Sequence, residues 1–259
     1  MNSDAKAGIS YSWNGSSDSL WTNASNWTPS GVPSSADDIT IPSTPRIPIV
    51  NDHVTLNGLN LSTNAQIDFN GFDVTVTNSF TSNAGSVIQL RGRKLTINGI
   101  ANFFGGTFNE NVSGSEIIVS GDNTVFGNGS GGPTLNSKLT VNTGRLSIRN
   151  STFNGVVDFT KNNIGNDACP GNNTFNAATS ITNTSSSYII FSNSTRDVYQ
   201  APLEINAQGN GAIYMSYNGV NTSFNDDVLV NCSGTGGVRF GASQVQQQLQ
   251  AEKQLSQEA

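Results

Sequence analysis

The chain has 259 residues, a net charge of −6 and only 12% charged side chains. With a pI near 4.6 and no basic tract beyond Arg91, Arg93 and Lys94, it lacks the electrostatic footprint of a nucleic-acid binder. A single histidine, His53, and two distant cysteines, Cys169 and Cys232, argue against a zinc site, a disulfide framework and a Ser-His-Asp triad.

No apolar run approaches the ~18 residues of a membrane span, so no membrane insertion is expected, and the opening Met1-Asn2-Ser3-Asp4-Ala5-Lys6 lacks the apolar core of an export signal. Abundant Asn, Gly, Ser and Thr disfavour helix and give the texture of an exported protein. We therefore expect a secreted or cell-surface segment whose export signal has been left out.

Three zones follow in chain order. Residues 1–45 hold all three tryptophans in the package Trp13-Asn14-Gly15, Trp21, Asn26-Trp27, Pro33 and Asp37-Asp38-Ile39-Thr40-Ile41-Pro42. Residues 46–242 are short alternating apolar runs broken by Gly and Asn, such as Asp73-Val74-Thr75-Val76-Thr77 and Lys94-Leu95-Thr96-Ile97-Asn98, which are strand signals with turn punctuation. Residues 243–259 are rich in Gln, Glu, Lys, Leu and Ala and predict one short helix. That helix is either a covering element or a foreign segment.

A repeat decides the fold. Phe153, Phe175, Tyr199 and Phe224 lie 22, 24 and 25 residues apart, and each is followed by an amide: Asn154, Asn176, Gln200 and Asn225. Four and six residues after each aromatic come Val157 and Phe159, Thr179 and Ile181, Leu203 and Ile205, Val228 and Val230, which is one face of a strand. A second strand places Ile189 and Phe191, Ile213 and Met215, Val238 and Phe240 at fourteen and sixteen. A period in the twenties is the signature of a solenoid, so equivalent residues should stack at about 4.8 Å, with the amides forming a ladder. In the coil starting at Phe153 the second-strand core positions hold Asp167 and Cys169, followed by Pro170, which predicts a local distortion. Upstream, Phe69 to Phe80, Ser86 to Leu90, Leu95 to Phe103 and Leu139 to Ile148 alternate likewise, with drifting coil length and no clean aromatic mark. A two-sheet sandwich also alternates with period two, but it gives no reason for a recurring aromatic-amide phrase. The expected fold is all-β, a right-handed parallel β-helix with an N-terminal Trp-rich cap and a short C-terminal helix.

The opening from Trp13 to Pro42, and the phrase Thr222-Ser223-Phe224-Asn225-Asp226-Asp227-Val228-Leu229-Val230-Asn231 running on to Gly236-Gly237-Val238-Arg239-Phe240-Gly241, carry a resemblance. The chain resembles extracellular β-helix proteins of the Bacteroidetes, adhesin-like and often exported by the type IX pathway. The resemblance implies surface display and a binding or spacing role within a larger multi-domain protein. It supplies no site residues, and the C-terminal sorting domain of such proteins is absent from this sequence.

Candidate sites weigh unevenly. The tryptophans read as cover for the end coil, with sugar stacking as the alternative if a ring is open to solvent. Asp37-Asp38 falls short of the six to eight oxygens that calcium needs, and no metal or cofactor is expected. A polysaccharide lyase or hydrolase needs paired acids; Asp158 and Glu204 fall two coils apart, about 10 Å, at the wide limit for an inverting pair. No catalytic residue is assigned. An ice-binding face needs stacked Thr-x-Thr, whereas the outward positions seven after the aromatic read Thr160, Thr182, Asn206 and Asn231. The best recognition strip is on the second strand: Ile190, Tyr214 and Arg239 share one outward line with Tyr188 beside it, and aromatic and Arg side chains dominate binding hot spots. The alternative is a sheet surface built of β-favourable residues. The expected function is a non-catalytic adhesion or spacer module with an extracellular glycan or protein partner, and a carbohydrate-binding module is the alternative.

Overall fold

The computed structural model describes residues 8–110, 112–218 and 220–241. These residues form an all-β parallel solenoid of about nine turns, in sheets of fifteen, eight and four strands. The strands are short because a Gly- or Asn-centred turn interrupts the apolar alternation every few residues. Within the described residues the one helical segment is a 3-10 turn at Ala24–Asn26. The helix predicted over 243–259 lies outside the described residues.

The repeat register holds in space. In the first sheet Val157 pairs with Thr179, Leu203 and Val228 in succession, and Phe159 with Ile181, Ile205 and Val230. The neighbours in each strand point outward, and the strand Val157–Lys161 alternates buried and half-buried along its length. Upstream the same columns run back through Leu139 and Val141, Ile117 and Val119, and Leu95 and Ile97 to Val74 and Val76.

The aromatics stack on the second sheet. Phe153 and Phe175 lie 4.8 Å apart with planes 5° from parallel, Phe175 and Tyr199 4.6 Å and 3°, and Tyr199 and Phe224 5.5 Å and 11°. The column continues upstream through Leu135, Phe108, Ile88 and Ile67. It is hard to see in the sequence because the coil between Asn109 and Asn136 spans 27 residues and the next spans 18. Beside the column the amides form the expected ladder, Asn176 donating to Asn154 at 2.7 Å, Asn154 to Asn136 at 2.6 Å and Asn136 to Asn109 at 3.1 Å. It resumes as Asn225 donates to Gln200 at 2.6 Å. A parallel rung joins Asn172 to Asn150 at 2.9 Å, both in the left-handed conformation, φ 65° and 53°. Asn enters that region more readily than other residues with a Cβ, which is one reason the sequence is so rich in it.

At the N-terminal end the strand Ser10–Trp13 pairs antiparallel with Trp27–Thr28 and parallel with Asp38–Ile41, which pairs in turn with Gly58–Leu61. The first sheet is therefore continuous across residues 45 and 46. Trp13, Trp21 and Trp27 are all buried, with Trp27 edge-on to Trp13 at 5.0 Å and to Trp21 at 4.7 Å. Two of the indole N–H groups donate to backbone carbonyls: Trp13 Nε1 to Arg46 and Trp27 Nε1 to Trp21, each at 2.8 Å. At the other end Phe224, Val228, Val230, Val238 and Phe240 are only partly buried against the core.

Candidate functional site

The third sheet consists of Asp167–Ala168, Ile189–Ile190, Ile213–Tyr214 and Val238–Arg239. Its register aligns Ala168, Ile190, Tyr214 and Arg239, so the line read from the sequence is one physical column. Tyr188 packs edge-on to Tyr214 at 6.0 Å, and Tyr217 packs edge-on to Tyr214 from the following turn at 5.6 Å. The Arg239 guanidinium lies 5.1 Å from the Tyr214 ring centroid, and its Nη1 donates to Tyr214 Oη at 2.6 Å. Tyr188 is 38% exposed and Tyr217 41%, whereas Ile190 is 7% exposed. Ile190 is therefore floor beneath the strip, and the rings and the guanidinium are what solvent meets.

Upstream the strip runs into a shallow polar recess lined by Asn123, Arg145, Ser147, Asn166 and Asp167. The recess forms where the backbone ladder is interrupted. The strand Arg145–Ile148 does not pair with Asp167–Ala168; instead Leu146 N–H donates to Asp167 Oδ2 at 3.1 Å, and the Cys169 thiol donates to Leu146 O at 3.6 Å. Side chains thus take the place of main-chain partners, as the polar Asp167 and the Pro170 beyond it had suggested. The distortion is confined to this side, since Asp167 keeps its register with Ile189 on the next coil.

Asp167 sits in a column continued by Ile189, Ile213 and Val238, and its charge is matched from within. Lys161 Nζ lies 2.9 Å from Oδ2, and Arg145 Nε lies 3.7 Å from Oδ1. Lys161 also donates to the carbonyls of Gly144 and Asn163, at 3.0 and 3.2 Å. Tyr217, Arg145 and Lys161 were not singled out from the sequence. Lys161 left a signal: it lies eight residues after Phe153, at a position that Asn183, Ala207 and Cys232 occupy in the following coils.

The remaining candidates resolve into structural partnerships. With all three tryptophans buried, none offers an open ring face for stacking. Asp37 accepts from the Ile9 N–H and from the backbone and hydroxyl of Ser34, each at 2.7 Å. Among the described residues no three or more His, Cys, Asp or Glu side chains stand close enough to hold a metal ion. Asp158 and Glu204 are separated by Ser180 in the register, which places them two strand steps, about 10 Å, apart. His53 faces Asp73 at 3.7 Å on the surface. Thr160, Thr182, Asn206 and Asn231 do form one outward column, in which Asn231 donates to Asn206 at 2.9 Å. On the same sheet Glu116 bridges Lys94 and Lys138 at 3.2 and 3.1 Å.

Residues 12–104 match a family described as a domain of unknown function, DUF8693. That stretch holds the tryptophan cluster and the first coils and ends before the recess and the tyrosine strip. No curated protein and no solved structure matches the chain.

Proposed function

We propose that this chain is a non-catalytic adhesion module of the cell surface or the secreted fraction, and that it engages an extracellular glycan through the third sheet. The observation that carries the reading is the surface cluster of the exposed Tyr188, Tyr217 and Arg239 around the half-buried Tyr214 along a parallel sheet. Tyrosine presents a broad apolar face and a polar tip at little entropic cost, which suits a sugar ring with one apolar face and a rim of hydroxyls. Tyr188 and Tyr217 brace the Tyr214 ring edge-on from the neighbouring coil and from the following turn, at 6.0 and 5.6 Å, so little ordering remains to be done on binding.

The surface placement, and the link to type IX-exported Bacteroidetes proteins within a larger multi-domain chain, rest on the composition and the resemblance. The tryptophan cluster fits a cap over the first coil, because it buries large rings where the stack would otherwise end on an open cross-section. Right-handed winding is the expected sense for parallel crossover connections. The continuous stack also suits a rigid spacer, a role compatible with adhesion.

A glycan array tests the reading. The intact chain should bind a restricted set of glycans, and Tyr214→Ala, which removes the central ring, should lose most of that binding while circular dichroism is unchanged. Absence of binding to any glycan, or undiminished binding by the variant, would overturn it.

A further inference from the structure

Two cations, Arg145 in the lining of the recess and Lys161 buried behind it, share one carboxylate. Lys161, whose side chain is 1% exposed, and Arg145 face the single carboxylate of Asp167. Asp122 offers Arg145 its backbone carbonyl, at 2.9 Å from the Arg145 N–H, and no ion pair. Arg145 meets Asp167 through Nε, its side chain is 64% exposed, and its terminal Nη groups hydrogen-bond to nothing among the described residues.

Stability does not account for this arrangement. The next three coils fill the Asp167 position with Ile189, Ile213 and Val238, and replacing a buried ion pair by well-packed apolar groups is often neutral or stabilising. What the pair provides is a fixed carboxylate beside Arg145 Nε. The Nε contact, a 3.7 Å ion pair longer than a hydrogen bond, leaves the other two nitrogens free to grip an incoming carboxylate with two parallel hydrogen bonds. Around it, Asn123, Ser147 and Asn166 supply neutral amide and hydroxyl groups. The recess and the strip are joined directly: Tyr188 N–H donates to Asn166 Oδ1 at 3.3 Å, and Asp167 N–H to Tyr188 O at 3.1 Å.

We propose that the recess is the subsite for the carboxylate of an acidic sugar, held by the Nη groups of Arg145, with the adjoining sugar rings on Tyr188 and Tyr214. Lys161 and Asp167 are positioning residues. This rests on the glycan reading above. A sugar acid is favoured over an acidic peptide because, apart from Asp167, which is already paired with Lys161, the polar lining is the neutral Asn123, Ser147 and Asn166, and Asn166 joins the recess to the tyrosine strip, which suits a hydroxylated ring.

The test is calorimetric titration of the intact chain with tetramers of galacturonate, guluronate and glucuronate and with their methyl esters, which keep the sugar and lose the charge. At least one acid should bind about tenfold or more tighter than its ester, the worth of one charge-assisted contact. Arg145→Gln should abolish that preference, and Arg145→Lys should restore only part of it. The double variant Lys161→Met/Asp167→Leu should keep the circular dichroism of the solenoid and also lose the preference, an effect that a merely structural pair would not have. Equal affinity for acid and ester, a preference that survives Arg145→Gln, or tighter binding of tetraglutamate than of any uronate would overturn the subsite while leaving the glycan reading standing. Binding of none of these probes, together with a blank glycan array, would overturn both.

Discussion

Lys161 Nζ and Asp167 Oδ2 meet at 2.9 Å inside the solenoid, the lysine almost wholly removed from solvent. Removing one partner of a buried pair strands the other charge, which typically costs about 3–5 kcal/mol, whereas replacing both with apolar groups does not. Lys161→Met should therefore lower stability by that amount in urea melts. Lys161→Met/Asp167→Leu should recover part of it, short of roughly 1 kcal/mol for each group left without its partner, the Leu146 N–H and the Gly144 and Asn163 carbonyls. A double variant as unstable as the single one would mean that the pair itself holds this coil, and that stability does account for it.

Tyr199 interrupts a column of phenylalanines with a hydroxyl that is buried and has no partner among the described residues, and burial pushes its ionisation well above the ordinary tyrosine value. Tyr199→Phe keeps the ring stacked on Phe175 and Phe224 and removes the unpaired group, so it should stabilise by about 1 kcal/mol. Phe175→Ala, from the middle of the same stack, should cost about 3–5 kcal/mol. Guanidinium melts of both variants check the pair, and a destabilised Tyr199→Phe would place a bound water on the hydroxyl.

The Asp197 carboxyl is pushed up to about 6 by burial, against hydrogen bonds from Asn173 and Ser192 that favour its charged form. An unfolded aspartate titrates near 4, so between about pH 4 and 6 the folded chain holds a proton that the unfolded chain has lost. Its contribution to stability is full below about pH 4 and is lost as pH rises through 6, by up to about 3 kcal/mol. Glu116 works the other way: desolvation raises its pKa, but Lys138 and Lys94 outweigh this and hold it below the usual range, so its contribution is lost as pH falls. The quantity to measure is therefore the difference between wild type and Asp197→Asn in urea midpoints from pH 4 to 7. That difference should shift steadily in favour of the variant across the range, and a flat one would contradict the burial of Asp197.

Both cysteines are free, Cys169 buried and Cys232 exposed. Burial raises the Cys169 thiol far above its ordinary value, and the thiolate is the reactive form. Native protein should label at Cys232 alone, with Cys169 reacting only after unfolding. Mass spectrometry of alkylated peptides reads this out, and rapid native labelling of Cys169 would show that the recess side opens readily.

Much of the fold was legible from residue spacing because a parallel solenoid packs each coil against the next repeat of its own sequence. The phrase Thr174-Phe175-Asn176, read with its counterparts at Phe153, Tyr199 and Phe224, carried the stacked rings, most of the amide ladder and the inward pairs Val157 and Phe159 through Val228 and Val230. The outward line Ile190, Tyr214 and Arg239, with Tyr188 beside it, followed from the same count. Upstream the count fails at the 27- and 18-residue coils and at the register shift between Leu56 and Gly58, where residues are gained or lost while the columns keep their register.

Period and alternation alone determined which side chains enter the core and which coils are neighbours, because both depend on strand geometry and stacking distance. Only the tertiary structure decided that Lys161, at an inward position, meets Asp167 there, that Tyr217 joins the strip from a turn, that Ile190 is covered, and that an interrupted ladder opens a recess beside Arg145. Those outcomes depend on the paths of turns of unequal length and on which polar groups find partners there, and neither is periodic in the sequence.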